Sequence, residues 1–343
     1  MQPRDASNPA NRFHSQTTTY DDGEAPPPAS VTLIDDHSRS ILASNDSPDL
    51  SFRYSVNPYR GCLHACAYCF ARPSHEYLDM GAGTDFDTKI VVKREAPALL
   101  RAAFEKPSWE GEGVMFSGVT DCYQAIERDL QLTRQCLEVC LEYRQPVSVI
   151  SKSTLVERDL ELFQALHEQA RFSIAVSLAF VEADVCRSIE PWTPSPDRRF
   201  KIIEKLAKAG LHVRVMCAPI IPGVNDRQMV PVLERAAAAG AKSAGWVLLR
   251  LPGAVKQVFE ERIRIALPLA ADKILTRIRD TRAGDLYDAR FGIRGRGEGP
   301  YADAIAQMFD ATCKRLGLNE HEREPLPTTF TRPAKPTAQL SLF

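Results

Sequence analysis

Between two polar ends the chain repeats one pattern: a short apolar, β-branched run, then an amphipathic stretch with helical spacing. The runs are "FRYSV" near Phe52, "KIVVK" near Ile90, "VMFSGV" from Val114, "VSVIS" from Val147, "FSIAVSLAF" from Phe172, "VRVMCAPII" from Val213 and "WVLLRL" from Trp246. Stretches with helical periodicity, such as 127–142, 157–169, 199–209 and 227–239, lie between them. Parallel strands need long crossovers, so this alternation predicts βα units around a parallel sheet. The runs are nearly continuous in apolar residues, which predicts strands buried on both faces. About six units fit, fewer than the eight of a closed barrel. The expected fold is therefore α/β, an open partial (β/α)6 barrel, with a further helix over 302–316.

The ends read differently. Residues 1–45 are rich in Ser, Asp, Asn, Pro and Thr, which predicts a disordered leader with "VTLID" (31–35) as its one candidate strand. The expected organisation is leader 1–45, barrel 46–285, helical extension 286–322 and a disordered Pro/Thr-rich tail 323–343. With a net charge of -1 over 343 residues, nucleic-acid binding would need a local basic surface. No apolar run is long enough to span a bilayer, and no apolar signal segment follows Met1, so a cytoplasmic protein is expected.

Nine cysteines are an odd number, in a chain too long for a small disulfide scaffold. Three cluster in "NPYRGCLHACAYCFAR": Cys62, Cys66 and Cys69, spaced C-x3-C-x2-C. Three readings compete. The positions fall at i, i+4 and i+7, one face of a helix, although Pro58 and Gly61 break a helix upstream. A zinc site would recruit His64 or His75 as fourth ligand, but zinc sites favour two C-x2-C pairs. An iron–sulfur cluster on three thiolates leaves one iron open to another ligand.

The triplet, with Tyr68 before its third cysteine, resembles the signature of the radical S-adenosylmethionine superfamily. "NPYRGC", "AYCFAR", "SGVTDCYQ", "ISKSTLVERDLELF", "IEPWTPSPDRRF" and "APIIPGVND" extend the likeness over about 57–222. Together they resemble the spore photoproduct lyase-like group, in particular its uncharacterised bacterial members. The resemblance implies that Cys62, Cys66 and Cys69 hold a [4Fe–4S] cluster. The open iron would chelate the methionine moiety of S-adenosylmethionine, and electron transfer would release a 5′-deoxyadenosyl radical that abstracts a hydrogen atom. It further implies a DNA substrate, repair-like chemistry and an electron donor such as flavodoxin or ferredoxin.

Ligands of parallel barrels sit at the C-terminal ends of strands. Ser117 and Gly118 end one strand, Lys152 the next and Ser177 the following one. With Tyr68 they are the expected cofactor-side residues, Lys152 pairing with the cofactor carboxylate. "EPWTPSPDRR" reads as a rigid loop and helix start, capped by Ser195 or Asp197, with Glu190 near the site. In spore photoproduct lyases a hydrogen-donating cysteine precedes a T-x-D-like segment. Here Gly118 holds that place, and Cys122 is the candidate substitute. "RFGIRGRGEGPY" (290–301) lacks the P-loop lysine and reads as a mobile loop or a phosphate contact through Arg294 and Arg296. The final "QLSLF", Gln339, Leu340, Ser341, Leu342 and Phe343, resembles the motif by which bacterial proteins dock on the DNA polymerase sliding clamp. Two other functions remain open: radical chemistry on a protein or small metabolite, and a non-catalytic zinc-binding adaptor at the clamp.

Overall fold

The computed structural model describes residues 4–5, 7–13, 28–320 and 327–334. Its principal strands are β1 (Thr32–Asp35), β2 (Leu42–Ser44), β3 (Tyr54–Val56), β4 (Tyr59–Arg60), β5 (Lys89–Val92), β6 (Val114–Phe116), β7 (Val147–Ser151), β8 (Phe172–Ser177), β9 (Val213–Ile220) and β10 (Ser243–Leu248). The longer helices are α1 (Ala96–Phe104), α2 (Leu132–Glu142), α3 (Leu160–Gln169), α4 (Ala183–Ile189), α5 (Pro196–Lys208), α6 (Met229–Ala238), α7 (Val255–Ala266), α8 (Ala271–Arg279) and α9 (Pro300–Leu316). Strands β3, β6, β7, β8, β9 and β10 lie side by side and parallel, with β2 antiparallel on the outer edge of β3. The two ends of this sheet do not pair, so the expected open, six-unit barrel is the observed fold. The run at Ile90 is the exception. As β5 it joins a separate sheet, parallel to β1 and antiparallel to β4.

The expectation of strands buried on both faces needs correction. Val149, Ile174, Val176, Val213, Val215 and Trp246 are buried in one large core on the helix side. On the other face Ser148, Ile150, Ser173, Ala175, Met216 and Gly245 are only half-buried, and Arg214 is exposed. The strands are long apolar runs on one side and mixed on the other, because the concave side of the sheet is open.

Other boundaries shifted for local reasons. The helical stretch 127–142 breaks at Gln131, whose φ of 52° is left-handed. Pro196 occupies the first turn of α5 as expected, but neither proposed cap bonds the helix start: the Ser195 side chain makes no cap hydrogen bond, and Asp197 pairs with Arg235. Some described residues of the expected leader contact the barrel side of the chain. Thr84 donates to the Ser7 carbonyl and accepts from the Ser7 amide, both at 3.0 Å. A Cβ at Gly81 would lie 2.2 Å from the Asn8 side chain, so only glycine admits that contact. In the expected disordered tail, Phe330 stacks on Tyr143 and meets Phe104, while Arg332 donates to the carbonyls of Phe104, Lys106 and Trp109. The "QLSLF" residues lie outside the described part of the chain. Among the described residues no helix is long and apolar enough to cross a membrane.

Candidate active site

Cys62, Cys66 and Cys69 sit on the loop after β4, and that loop is a chain of turns rather than a helix. Each cysteine carbonyl closes one turn, accepting from the amide of Ala65, Cys69 and Arg72 respectively. Gly61 starts the loop with φ of 81°. A Cβ there would fall 2.9 Å from the Phe86 carbonyl oxygen and 3.0 Å from that of Lys89. The helix-face reading of the triplet is thus replaced by a loop wrapped around its own sulfurs.

The loop is pinned from several sides. Thr120 donates to the Gly61 carbonyl at 2.5 Å, and Gln124 donates to the same oxygen at 3.1 Å while accepting from Leu63 N at 2.9 Å. The fully buried Arg72 pairs with Asp87 at 2.8 Å and donates to the Cys66 carbonyl at 2.8 Å. Arg262 adds a bond to the Ala65 carbonyl at 2.9 Å. The "SGVTDCYQ" segment is therefore a grip on the cysteine loop, through Thr120 and Gln124, which the sequence reading had not singled out.

Burial pushes all three thiols above the ordinary cysteine value, Cys62 to about 12. Cys69 also raises Cys62, and Cys62 and Cys69 both raise Cys66, a sign of proximity, whereas Lys152 draws Cys66 down and Arg72 draws Cys69 down. None is in a disulfide. Two candidate zinc ligands are engaged elsewhere: His64 Nδ1 lies 3.4 Å from Asp121 Oδ2, and His75 Nε2 lies 2.9 Å from the Lys89 carbonyl oxygen. No three His, Cys, Asp or Glu groups among the described residues converge on a single-ion position. Three soft donors in one buried lobe, beside a cation that offsets thiolate charge, fit an iron–sulfur cluster with one iron left for another ligand. Any metal held here would have to displace the protons that burial favours on these thiols.

The register of the sheet brings two of the expected residues side by side: Val176 pairs with Ser151, so Ser177 and Lys152 follow at the same level. Ser177 pairs with Met216, and Met216 with Gly245. Side chains alternate along a strand, so Ser177 shares the open face with Ala175 and Ser173, and Lys152 follows Ile150 and Ser148. Lys152 Nζ lies 5.8 Å from the centre of the Tyr68 ring. Burial opposes its charge, but Cys66, Glu190 and Asp121 outweigh that and raise its pKa above the usual lysine value. Its backbone amide donates to Asp121 at 2.8 Å, and so does the Ser151 hydroxyl. Ser117 has φ of 78°, left-handed for a non-glycine residue, and its hydroxyl accepts from Cys122 N at 2.9 Å. A Cβ at Gly118 would meet Ser55 at 3.5 Å, ordinary contact, so packing alone does not demand glycine there. The Ser177 side chain is buried and 3.5 Å from the Ala218 carbonyl oxygen.

Behind this edge lies a buried network. Tyr68 donates its hydroxyl to Glu190, and Arg199 pairs with the same carboxylate. Arg199 also donates to the Ser177 carbonyl at 3.0 Å, Pro194 O at 2.9 Å and Thr193 Oγ1 at 2.7 Å. Sequence reasoning put Glu190 near the site but passed over Arg199. The signal was there in the acidic residue and arginine pair of "EPWTPSPDRR". Cys122, by contrast, is completely buried in the main core with Cys136 and Cys140, and burial holds its thiol well above its usual pKa. In the basic loop Arg294 pairs with Asp49 and Arg290 with Asp288 and Glu298, while Arg296 is exposed over the Trp246 ring.

A cleft of about 600 Å³ opens beside the cysteine loop, lined in part by Leu63, His64, Arg128, Arg158, Trp192 and Arg198. Arg158 is held by Glu127 and Asp159. Arg128 and Arg198 are exposed, and no ion pair with either is found among the described residues.

Comparison with known proteins accords with this geometry. The Radical SAM superfamily model matches residues 56–236. The uncharacterized protein Rv2578c of Mycobacterium tuberculosis is 42% identical over 212 residues, 61% of this chain and 62% of that protein. The uncharacterized protein MJ0683 of Methanocaldococcus jannaschii is 30% identical over 178 residues, 52% of this chain and 64% of that protein. The chain thus spans less than two thirds of the length of these relatives. A spore photoproduct lyase complexed with dinucleoside spore photoproduct has a similar fold, with TM-score 0.55 and 20% identity over 83% of this chain and 78% of the other. The chain belongs to the radical SAM superfamily, and with that membership come a [4Fe–4S] cluster and S-adenosylmethionine.

Proposed function

We propose that this radical SAM enzyme acts on nucleic acid, in repair or modification, with Cys62, Cys66 and Cys69 as cluster ligands. The observation that carries the substrate reading is the cleft beside the cysteine loop, lined in part by Arg128, Arg198 and Trp192. Arginines contact phosphates, and an indole offers a stacking face to a base. This local basic surface answers the near-zero net charge. A spore photoproduct lyase of similar fold is complexed with a dinucleoside photoproduct, which supports the same class of substrate.

When bound, the cluster supplies the electron that breaks a carbon–sulfur bond of S-adenosylmethionine and yields the 5′-deoxyadenosyl radical. The chain must bind, orient and shield. Lys152 would hold the cofactor carboxylate through a charge-assisted hydrogen bond, with Ser177 and Ser117 beside it on the open face and Gly118 leaving room for the backbone to approach. Tyr68, fixed by Glu190, would wall the cofactor side of the loop. The burial of Cys62 and Cys66, each 7% exposed, keeps water from the sulfurs. Cys122 has no exposed surface, so hydrogen-atom return through it is no part of this reading. An electron donor such as flavodoxin or ferredoxin would reduce the cluster, and residues 339–343 would dock on a sliding clamp.

The test is anaerobic incubation of the reconstituted enzyme with reductant, S-adenosylmethionine and ultraviolet-damaged DNA, followed by mass analysis of the nucleosides. A changed nucleoside that depends on the cofactor is expected. Cofactor cleavage with every nucleoside unchanged, for damaged and undamaged DNA and RNA alike, would point to another substrate.

A further inference from the structure

The charges around the cysteine loop do not all find partners. Of the acidic side chains that approach it, Asp87 pairs with Arg72 and Arg262, and Glu190 pairs with Arg199. Asp121 has no arginine or lysine within ion-pair distance among the described residues. The amides of Tyr123 and Lys152 donate to its carboxylate at 2.9 and 2.8 Å, and the Ser151 hydroxyl donates at 2.8 Å. His64 Nδ1 lies 3.4 Å away, and burial lowers the pKa of that ring, which favours its neutral form. Neutral groups therefore hold the Asp121 carboxylate in place without cancelling its charge.

That charge lies against the first cysteine. Its neighbour His64 stands two residues from Cys62 and two from Cys66. Val119 packs with Cys62 and Cys69, and Thr120 donates to the Gly61 carbonyl, so residues 119–121 flank the Cys62 side of the loop. After burial, Asp121 is the next cause that raises the Cys62 thiol pKa. The Asp121 side chain is 9% exposed, so little water screens it. On the other side of the loop Lys152 faces Cys66, and under the function proposed above the cofactor carboxylate matches its charge. With Lys152 so paired, Asp121 is left as the unmatched charge beside the sulfurs.

We infer that Asp121 holds the reduction potential of the bound cluster low. A fixed negative charge in a water-poor lobe opposes the addition of an electron, and cluster potentials follow local charge and solvent exposure. The step concerned is a one-electron transfer: a low-potential carrier loses an electron and the cluster gains it, with no bond made or broken. A lower potential makes the reduced cluster a stronger donor to the cofactor sulfonium. The inference rests on Cys62, Cys66 and Cys69 as cluster ligands and is independent of the nucleic-acid reading.

The test reads a potential, with no cofactor present. Full-length protein, reconstituted anaerobically, is titrated with dithionite in the presence of redox mediators, and the reduced cluster is followed by electron paramagnetic resonance. Asp121→Asn should move the equilibrium toward the reduced cluster at least tenfold, which is about 59 mV for one electron. Lys152→Met should move it the opposite way. Asp121→Glu keeps the charge, and Thr120→Val loosens the grip on Gly61 without touching that charge, so both should stay within about threefold of wild type. No shift in Asp121→Asn, a shift toward the oxidised cluster, or an equal shift in Thr120→Val would overturn the inference. Should Asp121→Asn not retain iron, Asp121→Ser takes its place. Loss of iron from both, with Thr120→Val loaded, would give Asp121 a structural role and overturn the inference as well. A wild-type chain that holds no cluster would remove the ligand assignment itself, whereas a loaded cluster with an unmoved potential removes only the role of Asp121.

Discussion

Glu190 and Arg199 form a buried ion pair that joins the cysteine loop to the strand behind it: the carboxylate takes the Tyr68 hydroxyl, and the guanidinium takes the Ser177 carbonyl. Both side chains are essentially without solvent contact. Removing one partner leaves a buried, uncompensated charge, which costs about 3–5 kcal/mol. Glu190→Ala should therefore lower stability by about that amount in denaturant unfolding. Tyr68→Phe, which leaves the ion pair intact, should cost only about 1–2 kcal/mol. Equal losses in the two variants would mean that the pair is not what holds these elements together.

The same carboxylate gives the acid limb of stability a sign. Burial alone would raise the Glu190 pKa, but Arg199 and Lys152 outweigh it and lower the value from 4.5 to about 2. The unfolded chain thus takes up this proton first as pH falls. The contribution of Glu190 is complete above about pH 4.5 and fades as pH drops toward 2. Wild type should lose stability over that interval, and Glu190→Gln should show a shallower slope. Identical slopes in the two proteins would assign the acid limb to other groups.

Lys152 is the strongest candidate for binding the cofactor carboxylate. Lys152→Met should weaken S-adenosylmethionine binding about ten- to a hundred-fold, the loss of one charge-assisted hydrogen bond, with iron content unchanged. Equilibrium dialysis under anaerobic conditions measures this. Unaltered affinity would direct the lysine to the cysteine sulfurs instead.

Residues 339–343 give a separate prediction. Their deletion should abolish binding to the sliding clamp, with micromolar affinity in the full chain, and leave iron content and cofactor cleavage as they were. Surface plasmon resonance with immobilised clamp reads this. A full-length chain that does not bind at high micromolar concentration removes the docking proposal.

Much of the frame was legible because it rests on local pattern. Strand runs, helix periodicity and the C-x3-C-x2-C spacing each occupy a short window, and six of the seven runs became the parallel sheet. The misses came from long-range pairing. "KIVVK" has the same composition as the barrel strands, and nothing within it says that its partners are β1 and β4. Contacts made by described residues near the ends were hidden for a related reason. Polar, Pro-rich composition predicts no core, yet Asn8 fills the space at Gly81 and Phe330 the space beside Phe104 and Tyr143. Arg199 was passed over because its acceptors, from Ser177 to Pro194, converge on it only in the fold.

The most direct test is metal and product analysis of the three cysteine variants beside wild type. Reconstituted anaerobically, wild type should carry about four irons and four sulfides per chain, show broad thiolate-to-iron absorption, and form 5′-deoxyadenosine when reduced with S-adenosylmethionine. Cys62→Ala, Cys66→Ala and Cys69→Ala should each lose the absorption and the product, whereas Cys136→Ala and Cys140→Ala, from the packed core, should keep both. Normal cluster loading and cofactor cleavage without Cys66 would contradict the account.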